Sequence, residues 1–64
     1  MKVNGKVVKL SSPMTVSELI VNGGFREDRV AVELNGSIVP RMEYGNTVLK
    51  DDDSVEIVGF VGGG

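Results

Sequence analysis

The sequence predicts an α+β domain, a mixed sheet of four to five strands with one short helix packed on one face. Three observations predict it. Asn-Gly, the strongest short-range hairpin signal, occurs twice between strand-like segments, at Asn4-Gly5 and Asn35-Gly36. Thr15-Val16-Ser17-Glu18 has the capping-box form, and Val16, Leu19 and Ile20 behind it stand at i, i+3 and i+4, one apolar stripe of a helix. Residues 54–60 alternate with the period of a strand. A helix of about two turns is unstable alone in water, so its stripe must lie against the sheet.

Taken in order, Met1 to Val3 begins the first strand, Asn4-Gly5 turns the chain, and Lys6-Val7-Val8-Lys9-Leu10 forms the second. Ser11-Ser12-Pro13 breaks that strand. The Thr15 hydroxyl and Glu18 carboxylate satisfy the free N–H groups of a helix starting at Val16, and Asn22-Gly23-Gly24 supplies left-handed residues to end it. Phe25 is expected to fold back on the last turn as the hydrophobic contact of the C-cap, with Arg26-Glu27-Asp28-Arg29 as a solvated link. Val30-Ala31-Val32-Glu33-Leu34 is the third strand, and Ser37-Ile38-Val39 the fourth. Pro40 cannot donate to a ladder, which makes the fourth strand a short edge. Arg41-Met42-Glu43-Tyr44-Gly45 reads as a single helical turn in which Met42 and Tyr44 pack. Asn46-Thr47-Val48-Leu49 approaches an acidic turn, Lys50-Asp51-Asp52-Asp53, and the last strand follows. Shared parity predicts Val16, Leu19 and Ile20 against Val7, Val32, Val55 and Ile57.

Composition narrows the function. Sixty-four residues make one small domain, with no cysteine and no histidine. That leaves no disulfide, no zinc ligand set, no thiol nucleophile, and no imidazole to activate a serine, so an enzyme acting alone is not expected. Seven basic and nine acidic residues give a net charge of -2, with the basic residues scattered, a poor surface for nucleic acid. No apolar run suits a signal peptide or a bilayer span, so a cytoplasmic protein with no membrane partner is expected. Asp51, Asp52 and Asp53 read as a solvated turn rather than a metal site, since consecutive carboxylates do not converge without neighbouring ligands.

What remains is the run Gly62-Gly63-Gly64. Without side chains it can thread a channel too narrow for other residues, and three extended residues reach about 10 Å beyond the last strand. The expected division is a domain over residues 1–61 and a reactive tail over residues 62–64, mobile in the isolated protein; an inert linker is the alternative. On the last strand Val55, Ile57 and Gly59 share one side, and Glu56, Val58 and Phe60 the other. Glu56 belongs to solvent, so Val58 and Phe60 point outward as docking contacts beside the tail. Cover of Val58 or Phe60 by the Met42 to Tyr44 turn is the alternative.

The element order is that of a ubiquitin-like β-grasp, and the sequence resembles the ThiS-type sulfur carriers of thiamine biosynthesis over essentially its whole length. The residues that carry the resemblance are Asn4-Gly5, Thr15-Val16-Ser17-Glu18-Leu19, the run from Val30 through Val39-Pro40-Arg41, Asp51 to Val58, and Phe60-Val61-Gly62-Gly63-Gly64. The acidic turn usually reads Asp-Gly-Asp in that family; here Asp52 replaces the glycine, at an expected cost in local stability. The resemblance implies that an E1-like adenylating enzyme uses ATP to activate the Gly64 carboxylate, and that sulfur from a donor such as a cysteine desulfurase converts it to a thiocarboxylate. Thiazole synthase would receive the sulfur. In that scheme Gly64 is the modified residue, Gly62, Gly63, Val58 and Phe60 bind partners, and the chain holds no cofactor, metal or catalytic residue of its own. Two alternatives are a carrier for molybdopterin synthesis and a β-grasp interaction module with an inert tail.

Overall fold

The computed structural model describes residues 1–59. Its elements are β1 (Lys2–Val3), β2 (Lys6–Val7), β3 (Met14–Thr15), α1 (Val16–Asn22), β4 (Val30–Leu34), β5 (Ser37–Ile38), β6 (Val48–Leu49) and β7 (Ser54–Gly59). Single 3-10 turns occupy Glu27–Arg29 and Arg41–Glu43. A five-stranded sheet runs β2-β1-β7-β4-β5, and β3 pairs with β6 in a separate two-stranded ladder. The sheet is mixed because β1 lies parallel to β7 while its other pairs are antiparallel.

Both Asn-Gly pairs make the predicted hairpins. Asn4 and Asn35 have φ of 51° and 52°, and Gly5 and Gly36 have 82° and 86°, the left-handed pair required by the turn that matches strand twist. Helix α1 starts as its capping box dictates: Thr15 Oγ1 accepts from Glu18 N at 3.1 Å, and Thr15 N donates to Glu18 Oε1 at 2.9 Å. It ends in a Schellman motif, with Gly24 N donating to Val21 O and Phe25 N to Ile20 O. Gly24 is the left-handed residue, with φ of 81°.

The helix buries Val16 and Ile20 completely against Val32 and Val55, with Ile57, Val30, Leu49, Val39, Tyr44 and Met1 completing the core. Full burial of a valine or isoleucine side chain contributes about 1.5–3 kcal/mol. Leu19 is partly buried on the edge of this cluster. The expected core differs at one place: Val7 is 77% exposed. The two-residue turn pairs Val7 with Lys2, on the face away from the helix, and Val3 and Val8 take the inner positions. Strand β2 also stops at Val7, short of the predicted Leu10.

The turn after Pro40 packs through Tyr44 alone. Tyr44 is buried and donates its hydroxyl to Val30 O at 3.3 Å, whereas Met42 is 88% exposed, contrary to its expected packing role. Burial pushes the Tyr44 phenol pKa up; the Arg41 charge opposes this and the Glu27 charge adds to it. In the acidic turn, Asp53 accepts from Asn35 Nδ2 at 2.9 Å and from Lys50 N at 2.8 Å. The Asn35 bond first, then the backbone bond, holds its carboxyl below the usual carboxylate range. Asp52 does not take a left-handed angle, since Asn4 and Asn35 are the non-glycine residues with positive φ among those described, so the expected strain at this turn is absent.

Candidate functional site

The chain approaches its glycines along β7, and that strand positions the candidate site. Flanked by β1 and β4, β7 is the central strand of the sheet. Its pleat sends Val55 and Ile57 into the core and leaves Glu56 and Val58 on the face opposite the helix. Val58 is 58% exposed, as parity predicts, and the turn containing Tyr44 does not cover it. Phe60, Gly62, Gly63 and Gly64, like the expected mobility of the tail, lie outside the described residues.

The register shows what surrounds Val58. Ala31 of β4 sits directly across from it, and one pleat earlier Glu56 faces Glu33, which in turn pairs with Ile38 of β5. Ile38 is 67% exposed. The open face is therefore an apolar strip of Val58, Ala31 and Ile38 around a pair of cross-strand carboxylates. Like charges directly opposite on a sheet are unfavourable, and a partner's cation placed between them would relieve that. Sequence reasoning found Val58 and missed Ala31, Glu33 and Ile38. The signal was present, because the same period of two that sorts β7 also separates Ala31 and Glu33 from Val30, Val32 and Leu34.

Two side chains hold the end of β7. Strand β1 stops at Val3, and the Asn4 carboxamide takes over: Ile57 N donates to Asn4 Oδ1 at 2.7 Å, and Asn4 Nδ2 donates to Ile57 O at 3.2 Å. On the core-facing side, Gly59 has no side chain, and the ring of Phe25 lies there. A Cβ at position 59 would meet Phe25 Cε1 at 3.7 Å, and one at position 23 would meet Phe25 Cδ2 at 3.1 Å. The ring thus spans from the helix C-cap to the end of β7, as the expected C-cap contact and something more.

Among the described residues no group of three His, Cys, Asp or Glu is placed to hold a metal ion, and no helix is long and apolar enough to cross a membrane. An open groove of about 360 Å³, lined by Leu10 to Pro13 and Val48 to Asp51, sits where β7 begins rather than where it ends.

A five-stranded mixed sheet with a single helix across one face and parallel first and last strands at its centre defines a ubiquitin-like β-grasp protein. Its fold superposes on the crystal structure of a thiamine biosynthesis protein (ThiS) from Geobacter metallireducens with a TM-score of 0.81 and 36% sequence identity, covering 98% of this chain and 96% of that one. The family model described as the ThiS family matches residues 1–64, and the chain belongs to that family. A Bacillus subtilis protein named sulfur carrier protein ThiS is 37% identical over 65 residues, spanning 100% of this chain and 98% of its own length. A Magnetococcus marinus protein named thiazole synthase is 41% identical over 61 residues, or 95% of this chain, but the matching stretch is only 19% of that relative's length. A second thiazole synthase, from Paramagnetospirillum magneticum, shows the same proportion, 19%.

Proposed function

We propose that this chain is a sulfur carrier for thiazole formation in thiamine biosynthesis, with Gly64 as the residue that bears the sulfur. A carboxylate is a poor electrophile. Attack of the Gly64 carboxylate on the α-phosphorus of ATP, in the active site of an E1-like adenylating enzyme, releases pyrophosphate and leaves an acyl-adenylate. The outer sulfur of a persulfide then forms a C–S bond as the C–O bond to AMP breaks, giving an acyl disulfide. A partner thiol attacks the distal sulfur, breaking the S–S bond to leave the thiocarboxylate and a disulfide on the partner side. A cysteine desulfurase is the proposed origin of that sulfur, and thiazole synthase its acceptor. The carrier contributes shape and no catalytic group: residues 1–61 as the folded domain, residues 62–64 as the segment that enters the partner, and Val58 with Phe60 as docking contacts. No cofactor resides on it; ATP belongs to the adenylating step.

The observation that most supports this function is the family match itself, which runs through all three closing glycines. The thiazole synthase relatives, each containing a stretch like this chain, support that enzyme as partner. The exposed Val58 beside paired Glu33 and Glu56 supports docking through the open face rather than the helix face.

Intact mass after incubation with ATP, an adenylating enzyme and a sulfur source tests the chemistry. The wild-type chain should gain the mass difference of sulfur for oxygen. Deleting Gly64, or replacing Gly63 with Val, should abolish that gain, since a displacement of about 1 Å at a reacting centre can cost on the order of 100-fold in rate. Sulfur gain by the Gly64-deleted chain, or none by wild type with any cognate enzyme, refutes the function.

A further inference from the structure

We propose that Asn4 and Phe25 are positioning residues that clamp β7 from two sides and fix the point and direction from which the chain continues toward Gly64. The inference rests on the sulfur-carrier function of Gly64. It begins with the backbone of Ile57. On the β4 side, the carbonyls of Val30 and Val32 turn away from β7, to Tyr44 Oη and Val39 N, so Ile57 and Gly59 direct their own N–H and C=O groups the other way. That is the side of β1, whose ladder with β7 ends at Val3 and Val55. The Asn4 backbone N–H reaches Val55 O at 2.9 Å, and its side chain then supplies both bonds that a longer β1, through two successive residues on that side, would have made to Ile57.

Few residue types meet this requirement. The position needs a left-handed backbone, which Asn and Gly adopt readily, together with a donor and an acceptor on one short side chain. Asparagine alone has all three; aspartate lacks the donor and glycine both groups. Beyond Ile57, the Phe25 ring occupies the core-side space left open at Gly59. Without the two clamps the end of β7 would be held from the β4 side alone, through Ala31 and Val30, and could pivot there, changing the direction in which the chain leaves the sheet toward Gly64.

The molecule contains its own control. Asn35 has nearly the same φ as Asn4, in the other Asn-Gly turn, and it also grips β7, accepting from Ser54 N at 2.9 Å and donating to Asp53 Oδ1 at 2.9 Å. It does so at the opposite end of the strand. Asn4→Gly and Asn35→Gly each keep the turn's backbone and each remove one carboxamide clamp.

The test is ATP–pyrophosphate exchange with an adenylating enzyme that accepts the wild-type chain, run on both variants after their melting temperatures have been measured. Both variants should lose comparable stability. Asn4→Gly should reduce kcat about ten-fold with KM little changed, whereas Asn35→Gly should keep kcat within about two-fold of wild type. Hydrogen exchange at the Ile57 amide should accelerate in Asn4→Gly and not in Asn35→Gly. Phe25→Ala should follow Asn4→Gly in kcat, and Phe25→Leu should restore it; this pair carries the test if Asn4→Gly does not fold. Equal kcat in the two Asn variants, or full activity in Phe25→Ala, overturns the inference. Failure to find any adenylating enzyme that supports exchange with wild type instead refutes the carrier function, and the inference with it.

Discussion

Ile57 and Val58 are adjacent on β7 and face opposite ways, so substitutions at the two should separate stability from binding. Ile57 is 6% exposed and packs in the central cluster, and truncation of such a residue to alanine costs about 2–5 kcal/mol. A domain of this size has roughly 3–10 kcal/mol of stability in total, so Ile57→Ala should bring it near its unfolding threshold. Val58 is 58% exposed and has less than half of its side-chain burial to lose, about 1 kcal/mol or less in the free domain. Val58→Glu adds a third carboxylate one pleat from Glu56, a repulsion of a few tenths of a kcal/mol across a hydrated sheet. In a complex that covers this face, the new carboxylate would be desolvated without a partner, and a weakening of at least about ten-fold, or 1.4 kcal/mol, should follow. Urea melts followed by circular dichroism, paired with calorimetric titration against thiazole synthase and against the adenylating enzyme, measure both quantities. The expected pattern is an unstable Ile57→Ala domain, and a stable Val58→Glu domain that binds poorly. If Val58→Glu loses as much stability as Ile57→Ala, the face assignment is wrong. If it binds both partners as wild type does, the open sheet is not the docking surface.

Two further outcomes follow from the turn and the cap. Asp53 is ionised more readily in the folded state than in the unfolded chain, so its contribution is present above the ordinary aspartate pKa of about 3.9 and is lost as pH falls through the lower folded value. Melts from pH 6 down to about pH 2 should show that loss, and Asp53→Asn should be less stable at neutral pH with a shallower acid decline. Thr15→Ala removes the hydroxyl that accepts from Glu18 N and should cost about 0.5–2 kcal/mol, while Thr15→Ser should be nearly neutral by thermal denaturation.

The sequence-readable part of this fold is the part controlled by short-range chemistry. Asn4-Gly5, Asn35-Gly36, the Thr15 to Glu18 box and Gly24 each act within about four residues, and each appears where its residues place it. Parity on β7 placed Val58 correctly for the same reason. The Val7 assignment failed because Val7 and Val8 are both apolar, so alternation does not choose between them; the two-residue turn does, by pairing Val7 with Lys2. The ladder of β3 with β6 was illegible, since Met14 and Leu49 meet only after the intervening chain has folded. The grips of Asn4 and Asn35 on β7 were hidden likewise: the dipeptide announces a turn, and nothing local reveals what its carboxamide will touch.

The position of β7 bears on how the protein is made. Hairpin β1-β2 and hairpin β4-β5 have no pairing with each other and meet only through β7, the last strand to be synthesised among those described. A nascent chain interrupted before Ser54 holds two separate hairpins, and an isolated hairpin is marginal in water. Closing the sheet also requires Lys2 to find Ser54, a distant contact of the kind that slows folding. The domain therefore has no folded form that lacks the strand leading to its glycines. Glu56 and Val58 lie on that closing strand, so incomplete translation products cannot assemble the open face proposed above for docking.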